Sequence, residues 1–170
     1  MLMGIVKEGK GGLVGNAGEY FIVGELLRRG ITAGLVPRNA PHLDILATNQ
    51  TKTVRIRAKT KSGSSKAWQW VSKKDGKVFH EVGEEDYTIL VDLKEPQSQP
   101  DYYIFKTTDL DHIIEDDFEI WLRLPGRNGR PHDPNSTHRA LYLTGKYAHY
   151  APQILMHKNK WETLGLDPKP

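Results

Sequence analysis

The chain contains no cysteine. Disulfides, iron–sulfur clusters, thiolate zinc sites and a cysteine nucleophile are therefore excluded, and a reducing compartment suits the composition. No apolar run approaches the ~20 residues that a membrane helix needs. The opening MLMGIVKEGKGG is too short and too soon charged for a secretory signal. No G-x-S-x-G elbow is present. The glycines at 9, 11, 12 and 15 lack the Lys-Ser/Thr pair of a phosphate-binding P-loop. Internal repeats and low-complexity blocks are also missing. The expectation is a soluble, cytoplasmic protein with no organic cofactor.

What is present suits one compact domain. At 170 residues the chain can bury roughly 70% of the surface its unfolded form exposes, so no staple is required. Net charge is only +3, but its distribution is uneven. Residues 1–75 hold 13 Lys/Arg and 5 Asp/Glu, residues 76–122 hold 3 and 13, and residues 123–170 hold 8 and 3. Two basic stretches around an acidic middle are what a polyanion-binding face needs, and equally what a solvated surface of alternating charge produces.

The periodicities predict an α/β domain: a mixed central β-sheet flanked by helices. Residues 1–15 read as a flexible lead-in, 16–124 as the core, and 125–170 as a loop and extension packed on it. A helix is expected over 16–29, capped by Asn16 with Glu19 in capping-box position and stopped by Gly30. Phe21, Val23, Leu26 and Leu27 would form its buried stripe, with Ala17 and Gly24 allowing close packing. Strands are expected over 31–36, 43–48 and 53–60, the last two joined as a hairpin by Asn49-Gln50. Residues 67–72, 87–93 and 101–106 read as further strands, and 107–121 as a helix with Leu110, Ile113, Ile114 and Phe118 inward. Leu164 and Leu166 are expected to dock the C-terminus.

Three charged residues stand out by position. Glu19 lies in the first turn of the first helix, Asp44 near the start of a strand, and Lys59 near the end of the next, where a hairpin could bring it to the same side of the sheet as Asp44. The segments GEYFIVGELLRRG, LDILAT, VRIRAKT and DYYIF, the WL-x-L-PGRNGRPH stretch and the closing KWETLGL resemble small prokaryotic members of the PD-(D/E)xK nuclease superfamily. The resemblance spans most of residues 16–166 and implies a restriction-endonuclease-like fold. It also implies a Mg²⁺- or Mn²⁺-dependent phosphodiesterase acting on nucleic acid, with DNA favoured over RNA, and it leaves a homodimer open. Asp44, Glu19 and the Ala58 carbonyl would hold the metal, or another carboxylate would have moved in beside Asp44, and Lys59 would orient the attacking water. Mg²⁺ takes hard oxygen ligands and keeps several waters, so few protein groups suffice.

The chain departs from that pattern at Arg57, which stands where the superfamily carries Glu, Asp or Gln. A guanidinium cannot ligate a metal but grips phosphate well. Two further readings therefore stand beside the nuclease: an inactive nuclease-fold module that binds nucleic acid, and a protein-interaction domain whose acidic middle meets a basic partner. Arg55 and Lys61 would extend the basic edge, and Arg127 and Arg130 would grip backbone phosphate from the loop. Trp68 and Trp70, at strand spacing, suit packing better than base stacking. His132, Asp133 and His138 sit in a Pro-rich loop without cysteine and do not suggest a metal site.

Overall fold

The computed structural model describes residues 11–37 and 40–166. The chain runs α1 (Gly11–Arg28), β1 (Thr32–Leu35), β2 (Ile45–Thr48), β3 (Thr53–Lys61), β4 (Ala67–Val71), β5 (Asp86–Asp92) and β6 (Asp101–Lys106). It continues through α2 (Thr107–Arg123), β7 (His138–Tyr142) and α3 (Ala151–Met156) to a 3₁₀ turn at Trp161–Leu164. The fold is mixed α/β. A five-stranded sheet has the order β1-β2-β3-β5-β6, with β3 and β5 parallel and the other pairs antiparallel. β4 leaves that sheet and pairs with β7 in a separate two-stranded ribbon. Among the described residues no helix is long and apolar enough to cross a membrane.

Strand alternation divides the sheet into two apolar faces. Ile56 of β3, Tyr87, Ile89 and Val91 of β5, and Tyr102 and Ile104 of β6 pack beneath α1 and Trp161. Leu90, Tyr103 and Phe105 point the other way, onto Trp68 and Trp70 of the ribbon and Leu110 and Ile114 of α2. β5 is buried along nearly its whole length, as a central strand with a parallel neighbour and both faces covered should be.

The β2–β3 hairpin forms at the expected place. Asn49 Oδ1 accepts hydrogen bonds from the amides of Thr51 and Lys52, and Gln50 takes a left-handed φ of 76°. That is an Asx-type turn, which asparagine favours. Gly30 ends α1 as expected: at φ 76° its amide bonds the Leu27 carbonyl, and the next amide reaches back to Leu26.

The start and orientation of α1 differ from expectation. The chain is already helical at Gly11, the first described residue, so Asn16 and Glu19 lie inside the helix rather than at a cap. The helix also covers 11–15, part of the expected lead-in, while 1–10 lie outside the described residues. Ile22 and Leu26 are fully buried, whereas Phe21 and Leu27 are 46% and 53% exposed. Gly18, not Ala17 or Gly24, is the tight position: a Cβ there would lie 1.9 Å from Thr60 Oγ1. Once that crossing sets the rotation, residues four and eight positions on turn inward. Burial of Ile22 and Leu26 then stabilises by about 1.5–3 kcal/mol each.

The C-terminal segment completes both faces. β7 has no strong strand pattern of its own, yet it pairs along all five residues of β4. Leu164 and Leu166 are buried, as expected, and Trp161 packs on Tyr102 at 5.1 Å. Gly18→Ala should lower stability by about 1–3 kcal/mol through overpacking, and Thr60→Ala in the same chain should restore part of the loss. A urea midpoint unchanged by Gly18→Ala would show that α1 does not approach β3 this closely.

Candidate functional site

The β2–β3 junction gathers the charged residues singled out above. Asp44 precedes β2, with its amide bonding the Ile56 carbonyl at 2.9 Å and its own carbonyl accepting from Val36 at 3.0 Å. Its side chain bends onto the neighbouring strand, where Oδ2 accepts the Ala58 amide at 2.8 Å. The half-buried carboxylate is thus fixed at both its backbone and one oxygen. A carboxylate has about four lone-pair positions, so one amide donor leaves capacity for a cation.

Arg57 and Lys59 alternate on β3 and share the face that carries the ribbon. Burial pushes the Lys59 ammonium below its ordinary pKa, and the nearby Asp44 charge opposes that shift. Its Nζ lies over the Trp70 ring, 5.6 Å from the centroid. Arg57 likewise stands over Phe79 at 5.4 Å and Lys61 over Trp68 at 5.2 Å. Three successive inward cations therefore rest on three aromatic rings, an arrangement that offsets part of their desolvation.

Arg57 does not project into solvent. Its Nη2 donates to the His80 carbonyl at 3.3 Å and stands 3.7 Å from Asp86 Oδ2. Burial lowers its pKa, with Asp86 the foremost opposing charge. Asp86 is 3% exposed, takes Arg55 on its other oxygen, and is also bonded by the Gly83 amide. This residue is the main member of the site that sequence reasoning missed. The available signal was chemical: a half-buried arginine pair on β3 requires a carboxylate, and Asp86 opens the strand that lies beside it.

Lys61 corrects another expectation. It is 8% exposed, ion-paired to Asp92 and bonded to the Ser65 carbonyl, so it is a buried internal cation rather than part of an open basic edge. Arg55 remains 47% exposed despite its ion pair. Arg130 is exposed on the loop after α2, and Arg127 opens a short 3₁₀ turn, its side chain lying outside the described ones. Neither is brought to Asp44 by any described contact. Trp68 and Trp70 are core residues, as their spacing suggested; Trp68 also donates to the Val91 carbonyl at 2.9 Å. His132 stacks on Trp121 at 3.7 Å.

Glu19 sits one residue beyond the Gly18–Thr60 contact, on the helix that packs against the opposite face of β3. The structure thus brings Asp44, the Ala58 amide, Arg57 and Lys59 together, while Glu19 belongs to the helix on the other face of β3. Among the described residues no group of three His, Asp or Glu side chains is gathered for a metal.

Removing the Asp86 carboxylate isolates the interior of this network. Asp86→Ala should cost about 3–5 kcal/mol, because Arg57 is left buried without its counter-charge. Arg57→Met in the Asp86→Ala background should recover much of that loss in urea unfolding, and no recovery would disprove the pairing.

No protein-family model matches the chain, and no curated protein matches it significantly. Among solved structures, the chain is similar to a bacterial homing endonuclease, with 13% identity, 91% of this chain and 90% of that chain covered, and a TM-score of 0.49.

Proposed function

We propose that this chain is a nuclease-like, nucleic-acid-binding protein of the restriction-endonuclease-like type, in which Asp44 and Lys59 form a metal-dependent phosphodiesterase centre. One observation carries the reading: the Asp44 carboxylate is held by the Ala58 amide at 2.8 Å, with a desolvated Lys59 in its field. A carboxylate fixed in this way is a hard oxygen donor suited to Mg²⁺ or Mn²⁺.

The objection raised by Arg57 weakens once its surroundings are known. A bare guanidinium beside a metal would be repulsive by several kcal/mol at low effective dielectric. Here the charge is met by a buried carboxylate and faces Phe79. Asp44 and the Ala58 carbonyl would hold the metal, and Glu19 would assist through a coordinated water. A divalent ion bound there would polarise the phosphodiester and lower the pKa of its water. Lys59, held as an ammonium, would stabilise charge developing on the phosphoryl oxygens. Its lowered pKa also makes proton donation to a leaving oxygen easier.

A second reading rests on Arg57, which stands where the superfamily carries a ligand, and on the finding that no three Asp, Glu or His side chains are gathered for a metal among the described residues. On that reading the same cationic face binds nucleic acid without cutting it. Calorimetry with Mg²⁺ and Mn²⁺ alongside salt-dependent duplex binding separates the two. Metal binding that Asp44→Asn removes supports the enzyme, whereas duplex binding with no metal affinity supports the module.

Cleavage of plasmid DNA in Mn²⁺ should stop on chelation. Asp44→Asn and Lys59→Met should each reduce it on the order of 10²–10³-fold. Lys59→Met should leave melting temperature unchanged or raised, since it removes a desolvated charge. With Lys59 acting in its protonated form and its pKa lowered, activity should fall on the alkaline side at a pH below the ordinary lysine value. Cleavage that survives both substitutions would rule out this centre.

A further inference from the structure

The two-stranded ribbon carries a second basic feature, remote in sequence from Asp44. Ser72 to Gly76 make a tight turn after β4, in which the Lys73 amide bonds the Lys77 carbonyl and the Gly76 amide bonds the Lys73 carbonyl. Residues 134–137 lead into β7 beside it, and the Ser72 amide bonds the Thr137 carbonyl at 2.8 Å. Between these segments lies a cleft of about 400 Å³, within the size range of small-ligand sites.

Arg139 is one of the residues that line the cleft and is 7% exposed. Its guanidinium stacks 3.4 Å from the Phe118 centroid and donates to the carbonyls of Ser136, His138 and Gly76. Carbonyls accept three hydrogen bonds from Nη1 and Nη2 but do not neutralise its charge. Among the described residues it has no ion-pair partner, and Glu115 is the carboxylate whose field reaches it. A buried guanidinium normally keeps a counter-anion.

Two further observations point to an anion. Lys73 and Lys74 stand exposed at the mouth of the cleft. The Ser72 hydroxyl on its wall is buried without a partner among the described residues. The acid in this turn, Asp75, is already engaged, accepting from His80 Nε2 at 2.9 Å and from the Lys77 amide at 3.0 Å.

We infer that this cleft is a phosphate-oxyanion site, with Arg139 as its buried charge and Lys73 and Lys74 as its exposed ones, and that it takes a backbone phosphate of nucleic acid. Trp70 links it to the candidate centre: its ring lies under Lys59, and it faces Arg139 across the ribbon. Ser72 lies two residues further along, about 7 Å at strand spacing. The inference rests on the nucleic-acid-binding reading proposed above and adds a grip on that substrate class without requiring cleavage at Asp44.

The test compares the wild-type chain with a Lys73→Ala/Lys74→Ala variant, both exposed positions, binding a short DNA duplex in chelator across a salt series. The variant should bind more weakly, and the slope of log affinity against log salt should flatten by about 2, one for each lysine withdrawn from the phosphate backbone. Equal affinity and equal slope would overturn the inference. A parallel titration of the labelled wild-type chain with inorganic phosphate follows the amides of Lys73, Gly76 and Thr137. If no duplex binds but phosphate shifts those amides, the oxyanion site stands with a small phosphate as its ligand, while the nucleic-acid reading fails. If neither duplex nor phosphate moves them, the site is refuted whatever happens at Asp44.

Discussion

The constraint on which this molecule depends is the desolvation of a row of cations. β3 places Arg57, Lys59 and Lys61 on a sheet face that the ribbon covers. Each would be costly to bury alone. Aromatic rings from β4 and from Phe79 lie under all three, and Asp86, Asp44 and Asp92 supply the opposing charge. The ribbon is therefore more than a cover for a hydrophobic face. Its tryptophans make a charged strand tolerable inside the fold, and the strand in turn holds Lys59 close to Asp44.

The same logic explains why the chain needs its C-terminal third. β4 can support the cations only if it is itself held, and β7 is the strand that holds it. β7 also carries Arg139, which bridges the turn after β4 through the Gly76 carbonyl and packs on Phe118 of α2. The carbonyl of Ile104, on the outer strand β6, accepts the ring Nδ1–H of His157 at 2.9 Å, and the imidazole stacks on Phe105 at 4.0 Å. The C-terminal segment thus closes both apolar faces, with Trp161 and Leu164 on the α1 side and Leu141 and Ile154 on the ribbon side.

Much of the framework was legible from the residues alone. The Asn49-Gln50 turn and the alternation of TVRIRAKT identified the β2–β3 hairpin, because turn chemistry and strand period are local properties. The placement of Asp44 near Lys59 followed from that hairpin. The rotation of α1 followed only in part: Val23 and Leu26 turn inward as expected, but Phe21 and Leu27 do not, and the Gly18–Thr60 crossing brings in Ile22 instead. The helical state of 11–15 was also obscured, because glycines at 11, 12 and 15 argue against helix when read singly.

From its sequence, then, the chain determines the order of its elements, the hairpin, and the presence of an acid and a lysine on adjacent strands. Tertiary structure alone decided the fates of the basic residues. Arg55, Arg57 and Lys61 look equivalent as alternating positions on one strand, yet one is half-exposed, one is turned onto Asp86, and one is sealed against Asp92. Those outcomes rest on partners about 30 residues away. A local pattern records which way a side chain points, whereas the energy of a charge depends on what surrounds it in space.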